Sequence, residues 1–311
     1  MSDKPNILVV GSINMDLVVR TARFPTPGET VLGEGFATSP GGKGANQAVA
    51  VARLGGQCRM IARVGSDTFG EVMLEGMKAE GIDCTHVMRT GGAPTGVAMI
   101  IVNAKGENTI VVAGGANRML TPDDIFPRAE LFQEAQVMLV QLELPLPTIR
   151  AAIELARRHN CKVILDPAPA PRQMPPELFH VDIISPNAAE AESITGQMAI
   201  EERVDKNVAL DLVARGAAAA VLKLGPRGAL VVTGDAQIAR VPTYKVNVVD
   251  TTGAGDAFNG ALAVAVAQGK DLPTAAKFAN AAGALACTRR GAQSAMPTAD
   301  EVRMLMQDQP M

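Results

Sequence analysis

Tryptophan is absent from the 311 residues, and tyrosine occurs once, at Tyr244. Flat aromatic surfaces on which a nucleobase would stack are therefore scarce. Cysteine is sparse too: Cys58, Cys84, Cys161 and Cys287 stand far apart without a C-x-x-C pair, and only His86, His159 and His180 could add imidazoles. That pattern argues against a zinc site or a disulfide framework. There is no run of Lys or Arg, and a formal net charge of −3 withholds the basic footprint that nucleic-acid binding needs. No basic segment followed by an apolar stretch opens the sequence, and no apolar run reaches the roughly 18 residues of a membrane helix. The expectation is a cytoplasmic protein with neither nucleic acid nor membrane as partner.

Hydrophobic residues make up 47% of the chain and charged residues 20%, enough for an ordinary globular core. The length suits a single α/β domain over residues 1–311 with a small appendage. Ile7 to Val10 is a β-branched run stopped by Gly11, the mark of a buried parallel strand, and it delivers Asn14 and Asp16 to the edge where α/β ligands bind. Small and apolar residues from Gly44 to Leu54 follow helical spacing until Gly55-Gly56, and Thr68 to Glu80 reads as a second helix closed by Gly81. From Thr121 onward β and α patterns alternate, with apolar runs at Val137 to Leu142, Lys162 to Leu165, Val181 to Ile184, Ala217 to Leu224, Ala229 to Thr233 and Val246 to Val249. Such alternation predicts a three-layer, doubly wound, mostly parallel sheet with helices on both faces.

Two β-rich runs, Gly96 to Asn103 and Asn108 to Ala113, flank the turn Ala104-Lys105-Gly106-Glu107. With Leu17 to Arg20 and Thr30 to Gly33 they predict a small separate sheet, a lid built from segments of about 16–34 and 94–114. Val97 to Val102 is apolar at every position, whereas a strand on a solvated lid should alternate. One face of the lid is expected to cover the site and the other to meet a second subunit.

The segment Asp250-Thr251-Thr252-Gly253-Ala254-Gly255-Asp256 lies between an apolar run and a helix of small residues. Free N–H groups at such a helix start, with its partial positive charge, make an anion site, and glycine lets a phosphate approach the main chain. Asp256 falls in the first turn, where it is either a chemical group or a residue that satisfies helix-terminal donors. Standard phosphate motifs are missing: Phe258 replaces the third glycine of a dinucleotide fingerprint, and Gly44 follows Gly42-Lys43 where a P-loop needs Ser or Thr. Asn187-Ala188-Ala189-Glu190 reads as a helix N-cap with its capping-box partner or as a polar pair at a ligand edge, and the two are compatible.

Gly41-Gly42-Lys43-Gly44-Ala45-Asn46 near the start, paired with Asp250 to Asp256 near the end, resembles the phosphofructokinase-B sugar kinase family. The resemblance runs from Gly11 to Gln293 and implies the ribokinase-like fold. It implies an ATP-dependent carbohydrate kinase that phosphorylates D-ribose at its 5-hydroxyl. The alternatives are a relative acting on deoxyribose, fructose or a nucleoside, or a sensing homologue without catalysis. Asp256 then becomes the catalytic base, and Gly253, Ala254 and Gly255 form the anion hole. Asn14, Asp16, Gly42, Lys43, Asn46 and Glu143 become the sugar pocket, whose acceptors and donors suit hydroxyl groups. Asn187 and Glu190 would organise Mg²⁺ and phosphates, with Glu190 acting through water. Lys223, Leu224, Gly225, Pro226, Arg227 and Gly228 would lie under the adenosine, and Asn280 beside its base. K⁺ would be held by Asp250, Thr252, Ala286, Arg289 and Gly291, mostly through carbonyls. At the last ligand the chain departs from the family's Gly-Ala-Gln-x-Ser, because Ser294 places the hydroxyl one residue early. A homodimer formed through the lid is also implied.

Overall fold

Ile7, Leu8, Val9 and Val10 are all buried, and the alternate residues fall into two different cores: Ile7 and Val9 in one, Leu8 and Val10 in the other. A strand covered on both faces is uniformly apolar for this reason. The computed structural model describes residues 4–199 and 201–310. Its strands are β1 (Asn6–Val10), β2 (Asn14–Arg20), β3 (Gly35–Gly41), β4 (Gln57–Gly65), β5 (Val87–Thr90), β6 (Gly96–Val102), β7 (Asn108–Ala113), β8 (Val137–Gln141), β9 (Lys162–Asp166), β10 (Ile183–Ile184), β11 (Ala219–Lys223), β12 (Ala229–Thr233) and β13 (Ile238–Val241). The helices are α1 (Lys43–Arg53), α2 (Thr68–Ala79), α3 (Pro122–Ile125), α4 (Ala129–Glu134), α5 (Leu146–Arg158), α6 (Ala188–Thr195), α7 (Glu202–Ala214), α8 (Ala254–Ala267), α9 (Leu272–Ala286) and α10 (Ala299–Asp308). None of the described helices is long and apolar enough to cross a membrane.

The main sheet has nine strands in the order β13-β12-β11-β10-β9-β8-β1-β4-β5, parallel except where β12 pairs with β11 and β13. Residues of α1, α8 and α9 pack on the face that carries Ile7, Leu139 and Val221, while α5 and α7 cover the face that carries Leu8, Val140 and Leu222. Helix α1 lies close to α8 because α8 is built from small residues. A Cβ on Gly260 would stand 2.5 Å from the Ala50 Cβ, closer than side chains tolerate. That contact sets the side chains of α1 against the first turn of α8.

A second sheet of four strands, β3-β2-β6-β7, rises from the ends of β2 and β3. The hairpin at Ala104 to Glu107 joins β6 to the antiparallel β7. The outermost segment differs from the sequence-based lid, because Thr30 to Gly33 lies in no strand and the partner of β2 is β3, beyond residue 34. Residues 21–34 are instead a loop held by the Arg23–Glu29 ion pair and by Thr26, with Leu32 fully in solvent. Glycine, proline and serine dominate β3, and its strand form comes from the ladder that β2 offers.

Val246 to Val249 also forms no strand, although its apolar character suggested one. The sheet's edge β13 ends at Val241, so no ladder is beside it. Lys245 is held instead by the Gln309 amide, and the Val249 N–H donates to the Cys287 carbonyl at 2.8 Å.

Candidate active site at the carboxyl edge of the sheet

Polar residues gather at one edge: β2 starts there with Asn14 and Asp16 just after β1, β8 ends in Gln141 with Glu143 just beyond, and β9 ends in Asp166. Helix α1 starts at the same edge. Its entry needs Gly42 in a left-handed conformation, φ 88°, where a Cβ would stand 2.6 Å from the Asn14 nitrogen. The Lys43 N–H donates to Glu143 Oε2 at 3.2 Å, and the Ser12 hydroxyl donates to the same oxygen. Asn14 is fixed by Asn117, whose Nδ2 donates to Asn14 Oδ1 at 2.8 Å. The Asp16 carboxylate lies where any side chain on Gly41 would be, so a glycine there keeps the acid in place.

Asp256 is buried in the first turn of α8. Its Oδ2 accepts from Asn46 Nδ2 at 2.9 Å and its Oδ1 from Gln47 Nε2 at 3.1 Å. The helix begins at Gly253, φ 75°, without a side-chain cap. The Gly255 and Asp256 amides are taken by no protein acceptor among the described residues. Two free N–H groups at a helix start are an anion site. Lys223, at the end of β11, reaches the same place, with Nζ 3.7 Å from the position of a Cβ on Gly255 and 3.1 Å from Asp166 Oδ1.

Five carboxylates (Asp16, Glu143, Asp166, Glu190 and Asp256) act on the two ammonium groups of Lys43 and Lys223 or on one another. Excess negative charge in a dry site must raise some of these acids. Burial pushes Asp16 up to about 7, helped by Glu143 and Asp256. Asp256 rises to about 6, chiefly through burial, with Lys43 opposing and Asp166 adding to the shift. Glu190 is raised by burial as well. Burial alone would lower Lys43, but Asp256, Asp166, Glu143 and Glu190 outweigh it and hold the ammonium above its ordinary range.

The structure thus brings together Asn14, Asp16, Gly42, Lys43, Asn46, Glu143 and Asp256, with Gly253, Ala254 and Gly255 beside them. Asn187 and Glu190 form a reciprocal capping box on α6, the Asn187 N–H donating to Glu190 at 2.7 Å and the Glu190 N–H to Asn187 Oδ1 at 2.8 Å. From Leu224 to Gly228 the chain makes a tight loop closed by the Leu224 N–H on the Gly228 carbonyl at 2.8 Å, with Gly225, Pro226 and Arg227 in one short turn. The Arg227 guanidinium leaves this edge, pairing with buried Asp205 and the Ala199 carbonyl. The Asn280 amide is buried and donates to the Val241 and Pro242 carbonyls at 3.1 and 3.0 Å.

Around the start of α8, Asp250 Oδ1 accepts from the Thr252 N–H at 3.0 Å and Oδ2 from the Gly291 N–H at 2.9 Å. These bonds help hold the carboxyl below its usual range although burial opposes them. They also draw the loop after Ala286 against residues 250–252. The Arg289 side chain is committed to Glu301, and the Ser294 hydroxyl donates to the Arg290 carbonyl at 2.8 Å. No cluster of three or more His, Cys, Asp or Glu suited to a metal ion occurs among the described residues.

The sequence reading passed over Gln47, Gln141, Asp166, Asn117 and Ser12. Asp166 and Gln141 had a usable signal, since each closes a strand at the ligand edge. A cleft of about 630 Å³ separates this edge from the small sheet, between Asp16, Val18 and Arg20 on β2 and Asp250, Thr252 and Gly291 on the body.

A helix start with two free amides, a buried carboxylate beside it and a polar cleft under a small sheet suit phosphoryl transfer to a polyhydroxylated ligand. The model of the pfkB family carbohydrate kinases matches residues 4–299, and the chain belongs to that family. The chain is 39% identical to the ribokinase of Bacillus subtilis over 97% of its length and 99% of the relative's, and 37% identical to the deoxyribokinase of Salmonella typhi over 95% and 97%. Its fold is similar to that of Arabidopsis thaliana ribokinase complexed with ribose and ATP, with a TM-score of 0.91, 31% identity and coverage of 98% and 99%. Thermotoga maritima ribokinase gives a TM-score of 0.87 at 38% identity, with coverage of 97% and 99%.

Proposed function

We propose that this kinase transfers the γ-phosphoryl group of ATP to O5 of D-ribose, giving ribose 5-phosphate and ADP. The supporting observation is the buried Asp256 carboxylate next to the free Gly255 and Asp256 amides. Bound Mg-ATP supplies the phosphoryl group and much of the charge neutralisation. This chain's residues orient the alcohol, receive its proton and meet the phosphoryl oxygens with N–H donors. Asp256, with a pKa near 6, is ionised at neutral pH yet basic enough to take the hydroxyl proton as the transfer proceeds. Asp16, Asn14, Lys43, Asn46 and Glu143 hold the ring. Lys43 and Lys223 offset the carboxylates, and Glu190 acts on Mg²⁺ through water.

Deoxyribose is the second reading, because a deoxyribokinase is nearly as similar as the ribokinases. Asp16 favours ribose: a half-buried carboxylate that accepts from two neighbouring hydroxyls keeps an unpaired acceptor when one is missing. Coupled ADP detection over ribose, deoxyribose, fructose and a nucleoside tests the assignment. Ribose should have the highest kcat/KM, and a sugar lacking the 2-hydroxyl turning over faster would replace it.

K⁺ is assigned to oxygens of Asp250, Thr252, Ala286, Arg289, Gly291 and Ser294, where it would steady the loop that carries the anion hole. Activity no higher in K⁺ than in tetramethylammonium would remove that assignment. The four-stranded sheet is proposed to act as a lid and as the contact of a homodimer. Its outer face exposes Phe36, Met99 and Val111, with Met99 directly opposite Val111 in the ladder. The cytoplasm, where ATP is abundant, is the proposed setting.

A further inference from the structure

Gln47 is completely buried on α1 and has no place in the roles assigned above. Both hydrogens of its amide are used on carboxylates: Nε2 donates to Asp166 Oδ2 at 2.8 Å and to Asp256 Oδ1 at 3.1 Å. Its Oε1 accepts from Gln141 Nε2 at 2.7 Å. The direction of this relay is fixed by chemistry, since reversing Gln47 would set its oxygen against two carboxylates. Gln141 Oε1 is buried and has no partner among the described residues, so the bond to Gln47 is the one that fixes the Gln141 amide, and it orients Gln47 in return.

One amide therefore stands between two acids that would otherwise meet in a dry site. Two carboxylates in direct contact share a proton, and one of them is then neutral near physiological pH. A donor inserted between them lets both stay ionised. Asp166 in turn holds Lys223, whose ammonium points at the start of α8. We infer that Gln47 is the positioning residue that keeps the Asp256 base ionised and aimed, and that ties it to the Asp166–Lys223 pair on the phosphate side. The inference rests on the proposed role of Asp256 as the base. The charged groups around Asp256 are Lys43 from α1, Asp166 from the end of β9 and Asp16 from β2.

Gln47→Met keeps the side chain's length and removes both donors. In the full chain, kcat near neutral pH should fall at least about tenfold while KM for sugar and for ATP stays within about twofold, as for an interaction that acts on the reacting geometry. The acid limb of the kcat profile should move up by about one pH unit, so that part of the lost rate returns at alkaline pH. Gln141→Met, which leaves Gln47 present but unguided, should shift the limb in the same direction by less and protects the test against a folding defect in the first variant. An unmoved acid limb in both variants, or a loss expressed only in KM, overturns the inference. Asp256→Asn, assayed alongside, separates the two ideas: full turnover in that variant removes the base itself, whereas a dead Asp256→Asn with an unaltered Gln47→Met removes only the relay.

Discussion

Strands β8 and β7 have similar apolar content and opposite fates. In Val-Met-Leu-Val-Gln of β8 every residue is buried, and in Asn-Thr-Ile-Val-Val-Ala of β7 every residue is exposed. Helices on both faces account for the first, and the open cleft and outer solvent account for the second. The site straddles this divide. Asp256, Lys43, Glu143 and Asp166 belong to the packed body, where side chains are fixed by one another. Asp16 sits at the root of the small sheet, where β2 leaves the body and its partners begin to thin out. The contrast assigns chemistry to the body and sugar selection with closure to the small sheet.

The largest effect should come from the body. Asp256→Asn should lower kcat at least about a hundredfold, the scale of a positioned general base, with sugar binding kept. The contrast breaks if turnover survives in a purified sample. Asp16→Asn should raise KM for the sugar by more than about tenfold, because the amide replaces one of two acceptor oxygens with a donor. It should also stabilise the unliganded protein. Asp16 rises from 3.8 to about 7 on folding, so the folded chain binds this proton more tightly than the unfolded chain does. Stability associated with it is complete below about pH 4 and declines as pH rises through about 7, a loss of about 2–4 kcal/mol. Thermal melts of the two proteins should accordingly lie closest in acid, draw apart between about pH 4 and 7 and stay apart above it. A difference that does not depend on pH would show that Asp16 is not the strained group.

The pH profile sharpens the comparison further. Because Asp256 must be ionised to act, kcat should fall on the acid side through about pH 6, and the limb should belong to the body acid alone. Asp16→Asn should leave that limb nearly in place, because Asp16, raised to about 7, is largely protonated where Asp256 titrates. A clear downward movement would mean that Asp16 is ionised where Asp256 titrates.

Much of the body was readable from residues, because a buried parallel strand has an unmistakable composition and its end marks the ligand edge. The run from Ile7 to Val10, the helix after Gly42 and the start of α8 all follow from local chemistry. Strand β3 was not readable, since its two glycines and proline outweigh the β preference of Phe36 and Thr38 and it takes its form from the ladder beside it. Val246 to Val249 shows the converse, a β-like run with no neighbour to pair with. Gln47 escaped because a glutamine inside a helix looks like a surface residue until α8 is laid across it. Asn187 and Glu190 were readable in two ways, and the structure shows the capping box.

The smallest effect on chemistry should come from the outer face of the small sheet. Met99 and Val111 are a cross-strand pair in the middle of β6 and β7, 56% and 65% exposed. Lysine at both positions would place like charges opposite each other on adjacent strands and remove the apolar patch. If that face joins two subunits, Met99→Lys with Val111→Lys should give a monomer in sedimentation at micromolar concentration. kcat should change by less than about threefold, because no group that touches the reacting atoms is altered. Hydrogen exchange on β6 and β7 reads the other half of the contrast. Sugar should slow exchange in the dimer by closing the cleft, and the monomeric variant should show faster exchange with and without sugar, since one cover has been removed from strands that bury little of their own. A variant that stays dimeric, or strands whose exchange ignores sugar, would leave the small sheet as a fixed extension of the body and erase the division of labour between the two regions.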